Sequence, residues 1–187
     1  EGMNDRSRRI TIDGYLTEKK LAQALREIVG ASWGGSQLTV PGSKRRWDMW
    51  FRDGDRTVVV EYDGDEHYRN TLKIKADNEK DAVARDRGFK VVRVPYWVQL
   101  DTVMLKHWFG IDAVIQQDFA HGFISTKIFP ASFCAMGIAR FERELASLPE
   151  PVKAAVIKSL RDRAEEYGGE YVVPAGSLAL GLQDPRV

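Results

Sequence analysis

Two alternating runs flank an Asp-Gly turn: "RRWDMWF", then "RDGDR", then "TVVVEYD". Apolar residues recurring every second position predict strands over residues 47–51 and 57–63. Asp-Gly between two such runs is the strongest short hairpin signal. In the first strand Trp47, Met49 and Phe51 share one face, with Asp48 and Trp50 on the other. In the second, Val58, Val60 and Tyr62 stand against Val59, Glu61 and Asp63. Two loop lengths keep the apolar residues together. With Asp53-Gly54 as a two-residue loop, Asp48 pairs with Val59 and lies diagonal to Glu61. With residues 53–56 as a four-residue loop, Asp48 sits directly across from Glu61. Both place the two carboxylates on one face, roughly 4.5–8 Å apart.

The flanking sequence completes an α/β pattern. Leu21, Leu25 and Ile28 recur at helical spacing after Thr17, a capping residue, and before Gly30, a stop. "ASWGGSQ" reads as a loop and "LTVPG" as a short strand or turn. A helix is predicted from about Thr71 to Arg87, ended by Gly88, then a strand over Phe89 to Tyr96 closed by Pro95. Strand, helix, strand at this spacing is a right-handed crossover, so the strands at 57–63 and 89–94 should run parallel. Asp101 to Phe109, Met136 to Leu148 and Pro151 to Tyr167 read as helices, and the tail from Pro174 as weakly structured. The expected architecture is α/β, a mixed β-sheet flanked by helices, with an arm over 1–15, the core over 16–100 and a mostly helical C-terminal extension over 101–187.

Composition narrows the class. With 43% hydrophobic and 29% charged residues the chain is an ordinary soluble globular protein. It has no apolar run of the ~18–20 residues that span a bilayer. One cysteine, Cys134, excludes a disulfide framework within the chain and a Cys-based zinc site. It fits a reducing, cytoplasmic setting. The net charge of +1 is not that of a general nucleic-acid coat, so any basic surface must be local.

Asp48 and Glu61 carry the chemistry. Carboxylates facing each other on a half-buried sheet repel unless a cation lies between them or one takes up a proton. Mg²⁺, or Mn²⁺, is the natural resident, since a hard ion binds through one or two carboxylates, waters and phosphate oxygens. Such an ion activates water and neutralises phosphate charge in phosphodiester hydrolysis. Asp63, on the face of Glu61, is a further ligand or an orienting group. His67 is a proton donor or acceptor near neutral pH. Glu18 borders the buried stripe of its helix and leans toward the sheet. Lys44, Arg45 and Arg46 form the best basic cluster. They flank the carboxylates where a phosphate backbone would run, or serve as a charged edge that discourages strand pairing. Asp65 and Glu66 read as turn and surface residues, His107 and His121 as structural.

From Leu16 to Trp97 the chain resembles the PD-(D/E)XK nucleases, in the branch of very-short-patch repair endonucleases and their small relatives. The resemblance rests on Glu18, Leu21 and Leu25 in the first helix, on "RRWDMWF", on "VVVEYDGDEHY" with its E-x-D-G-x-x-H spacing, and on "DNEKDAVARDRGFKVVRVPYW". It implies a restriction-endonuclease-like core and a Mg²⁺-dependent DNA endonuclease of restriction, repair or mobile-element type. Asp48 and Glu61 would be metal ligands, assisted by Glu18, with His67 near the attacking water or scissile phosphate. Asp63 stands where the family's triplet usually has lysine. Either the relatives' Asp/His chemistry applies, or Lys73 or Lys75 supplies the positive charge. The implied partner is double-stranded DNA, with a second copy of the chain or a partner subunit. The rival reading is a nuclease-like module that binds DNA or protein without cutting.

Overall fold

The computed structural model describes residues 9–124 and 128–175. The strands and helices are β1 (Arg9–Ile12), α1 (Glu18–Val29), β2 (Trp33–Thr39), β3 (Arg46–Asp53), β4 (Arg56–Asp63), α2 (Glu66–Arg69) and α3 (Thr71–Asp86). They continue with β5 (Lys90–Pro95), α4 (Thr102–Phe109), β6 (Val114–Gln117), α5 (Ala135–Ser147), α6 (Glu150–Tyr167) and α7 (Gly169–Val172). The chain is an α/β protein with a four-stranded mixed sheet, flanking helices and a helical C-terminal region. It forms two compact units: Glu1–Tyr62, Val83–Val94 and Gln99–Phe119 in the first, Asp63–Ala82, Pro95–Val98 and Ala120–Val187 in the second. Among the described residues no helix is long and apolar enough to cross a membrane.

The first unit is built on the sheet, ordered β2-β3-β4-β5. β2 and β4 both run antiparallel to β3. β5 enters beside β4 through α3, the crossover that brings a parallel member into the sheet. One face packs Met49, Phe51, Val58, Val60, Val92 and Val94 against Leu21, Leu25 and Ile28 of α1 and Leu105 and Phe109 of α4. The other packs Val59 with Trp47, Val40 and Ala84, with Trp50, Val83 and Phe89 alongside. Helices therefore cover both faces, which suits strands that are apolar on both sides. α1 begins as its sequence predicts: the Thr17 side chain accepts from Lys20 N, and Gly30 closes the helix at φ 56°. β1, the described part of the expected arm, pairs in parallel with β6. Residues 1–8 of that arm and 176–187 of the expected tail lie outside the described residues.

Three expectations need correction. "WGGSQ" is not a loop but most of β2, paired with β3 through a bulge at Trp33/Gly35. Gly34 is there because the Trp50 indole lies on it: a Cβ would sit 2.3 Å from a ring carbon. The hairpin loop is Gly54-Asp55, closed by Asp53 opposite Arg56, with Gly54 at φ 59° as a turn with glycine first requires. Its register is the one that sets Asp48 directly opposite Glu61. Trp47 packs with Val40, Val59 and Ala84, not with Met49 and Phe51. Strand alternation is broken at Asp48. Opposite it on β2, Gln37 takes φ 58°, and on β4 the ladder ends at Met49↔Val60.

The second unit holds α2, most of α3, and α5 to α7. Its centre is aromatic: Trp97 stacks on Phe123 at 6.1 Å and meets Phe141 edge-on at 4.8 Å, and Tyr68 stacks on Phe133 at 5.0 Å. Gly137 lets α5 close on the α2 turn, since a Cβ there would lie 1.7 Å from the Tyr68 carbonyl oxygen. Cys134, the residue just before α5, is half-buried, and its backbone N–H donates to the same carbonyl.

Candidate functional site

The carboxylates Asp48 and Glu61 stand where the β3–β4 backbone ladder stops. Side chains take over its hydrogen bonds. The Asp48 N–H donates to Glu61 Oε1 at 3.3 Å, and the Tyr62 N–H donates to Asp48 Oδ2 at 3.0 Å. Each carboxylate thus binds an amide of the opposite strand, which lets Glu61 remain at 3% exposure. Asp48 is half-buried. Tyr62 links this point to the first helix, because its hydroxyl donates to the Leu16 carbonyl at 3.0 Å. Burial, with Tyr15 and Glu18 nearby, pushes that phenol up to about 12.

Glu18 opens α1 two residues later. Burial first, and then the charge of Asp48, raise its carboxyl above the ordinary value of 4.5. Glu18 and Asp48 line one cleft of about 540 Å³, with Lys19, Arg26, Trp33 and Ser36. Oxygen donors of this kind fit a hard divalent cation. The three are not a closed cage. Among the described residues, the one group of three His, Cys, Asp or Glu ligand atoms lying within 4.8 Å of one another is Asp63, His67 and Asp77.

That second group lies in the second unit, and a guanidinium already binds both of its carboxylates. Arg140 of α5 donates through Nη2 to Asp63, and through Nη1 to Asp77 Oδ2 at 2.9 Å and the His67 carbonyl at 3.1 Å. Its Nε binds Glu144 at 2.8 Å, and its plane lies 4.9 Å from the Tyr68 ring centroid. His67 Nδ1 lies 2.6 Å from Asp77 Oδ2 and 3.1 Å from Asp63 Oδ1. Oxygens that only accept require Nδ1 to carry a proton, which leaves Nε2 as the accepting nitrogen of the neutral ring. Burial works to lower the Arg140 pKa, but Asp63, Tyr68 and Glu144 outweigh it and the net shift is upward. Burial raises Glu144 despite Arg140, and raises Tyr68 well above its usual range, helped by the charge of Glu144. The Tyr68 hydroxyl donates to Glu144 at 2.5 Å. Asp, His and Asp could hold a transition metal, but here Arg140 binds both carboxylates.

Of the residues singled out from sequence, the structure sets Asp48 against Glu61 and places Glu18 with Asp48 in one cleft. It places Asp63 and His67 in the Arg140 network instead, with His67 in α2. Lys44 and Arg45 line a different cleft from Glu18 and Asp48. Arg46 is exposed at the start of β3, and Lys73 and Lys75 are exposed on α3. His107 is exposed and His121 buried. Sequence reading missed Asp77, Arg140, Glu144 and Arg87. Arg140 had a signal: it shares the helical stripe of Gly137, Phe141 and Leu145, and a charged residue on an apolar stripe needs a buried partner. Asp77, one turn beyond buried Ile74, had the same. Comparison with protein-family models, curated proteins and solved structures finds no match.

Proposed function

We propose that the chain is a divalent-metal-dependent DNA endonuclease in which Asp48 and Glu61 hold the ion and Glu18 supports them. The observation that carries this reading is the direct opposition of Asp48 and Glu61 at the open end of the β3–β4 ladder, each tied to an amide across the gap. The order α1-β2-β3-β4-α3-β5 agrees with a restriction-endonuclease-like core, the fold implied by the "EYDGDEH" resemblance. Mg²⁺ or Mn²⁺, when bound, supplies activation of water and neutralisation of phosphate charge. The two amides hold the carboxylates in place before the ion arrives. Burial and the charge of Asp48 raise the Glu18 carboxyl above its ordinary value. Double-stranded DNA is the substrate under this reading, with a second copy or a partner subunit as the assembling partner. The setting is cytoplasmic, which suits the single thiol.

One observation favours the rival, a module that binds without cutting. Asp63 replaces the usual lysine, and its charge is taken up by Arg140. Nicking of supercoiled plasmid in Mg²⁺ or Mn²⁺ decides between them. Wild type should nick, and Asp48→Asn should be slower by a factor on the order of 10²–10³ or more, as for loss of one main electrostatic group. Equal rates for the two proteins would remove Asp48 from the site, and a silent wild type would favour the binding module.

A further inference from the structure

Lys44 and Arg45, on the approach to β3, and Arg87, just beyond α3, converge on one cleft of the first unit, about 830 Å³ in volume. Asp86 is the one carboxylate lining it, so three cations face one acid there, in a chain whose net charge is only +1. The cleft is built rather than incidental. Arg87 Nη2 donates to the Pro41 carbonyl at 2.6 Å, which fixes the guanidinium to the opposite wall. That wall is a turn held by Ser43 N–H on the Val40 carbonyl at 3.2 Å and by Arg45 N–H on Ser43 Oγ at 3.1 Å, with Gly42 at φ 78°.

Arg45 immediately precedes β3, the strand that carries Asp48. We infer that this cleft grips the phosphate backbone of duplex DNA. Binding in the cleft does not rest on the nuclease reading of Asp48 and Glu61. Charge complementarity selects the ligand: fixed and flexible cations side by side neutralise successive phosphates without reading bases.

The test uses Asp48→Asn protein, labelled duplex DNA, EDTA and a NaCl series. Each phosphate contact contributes about −0.9 to the slope of log K against log salt. Lys44→Gln and Arg87→Gln should each lower that slope by about 1, equally on unrelated sequences, and Arg87→Lys should recover part of it. The triple change Lys44→Gln, Arg45→Gln, Arg87→Gln should lower it by about 2–3. An unchanged slope in the triple variant overturns the assignment, as does absence of duplex binding in Asp48→Asn. Tighter binding of duplex RNA, or displacement by inorganic phosphate at equal concentration, gives the cleft to another ligand and also overturns it. If the slopes fall as expected while wild type nicks no plasmid in metal, the cleft stands and the metal reading fails. Nicking with unchanged slopes is the reverse case.

Discussion

In the first unit Asp48 and Glu61 each bind a backbone amide of the neighbouring strand, whereas in the second unit Asp63 and Asp77 both bind the guanidinium of Arg140. The difference lies in what neutralises the acid. An amide offers a dipole rather than a counter-charge. A guanidinium offers a positive charge and several donors, which occupy oxygens that a metal ion would otherwise bind. A cluster can therefore have the tighter ligand geometry and still be the poorer cation site. Arg140 ties α5 to Asp63, Asp77 and the His67 carbonyl, and the ion site proposed above is the looser Asp48–Glu61 pair.

The contrast breaks most visibly at Arg140. Arg140→Leu should cost about 3–5 kcal/mol, because it strands two buried carboxylates, whereas metal-free Asp48→Asn should change stability by no more than about 1 kcal/mol. Urea denaturation of both variants measures this, and equal midpoints would erase the distinction. A smaller effect sharpens it. In wild type the melting temperature should rise with Mn²⁺, by the equivalent of about 2.7 kcal/mol at a hundredfold excess over Kd, and Asp48→Asn should abolish the rise. Arg140→Ala should instead gain a rise that depends on Asp77, because the ligand atoms of Asp63, His67 and Asp77 already lie within 4.8 Å of one another. A wild-type rise that survives Asp48→Asn and disappears with Asp77→Asn would exchange the two assignments.

The smallest effect is in pH. Glu18 has a folded-state pKa above its ordinary 4.5, so its stabilising contribution is complete below that value and is lost as pH rises through the raised one. Asp48→Asn removes the second cause of the shift, after burial, and should shrink that loss. Melting curves collected upward from pH 4.5 in EDTA test it. An unchanged pH dependence in Asp48→Asn would mean that the two carboxylates do not feel each other.

Local rules carried much of this structure. Thr17 and Gly30 bound α1, Gly88 follows α3, Pro95 ends β5, and of the two hairpin registers open in the sequence the structure takes the one with Asp48 opposite Glu61. What escaped depends on approach between distant residues. Gly34 reads as a loop former until the Trp50 ring is seen on it. Arg140 binds partners 77 and 63 positions away along the chain, a pairing that no local pattern encodes. Asp63 was grouped with Glu61 because strand alternation puts them on one face, but alternation gives direction and not company. The nearest strong cation decided its company.

The Asp48 and Tyr62 amides, bonded to side chains where a regular sheet would bond to backbone, have one more consequence. Their protection from solvent depends on how firmly two carboxylates are held, so anything that pulls on those acids is felt first at these N–H groups. The chain carries its own gauge of occupancy, readable one amide at a time without a substrate or an added label.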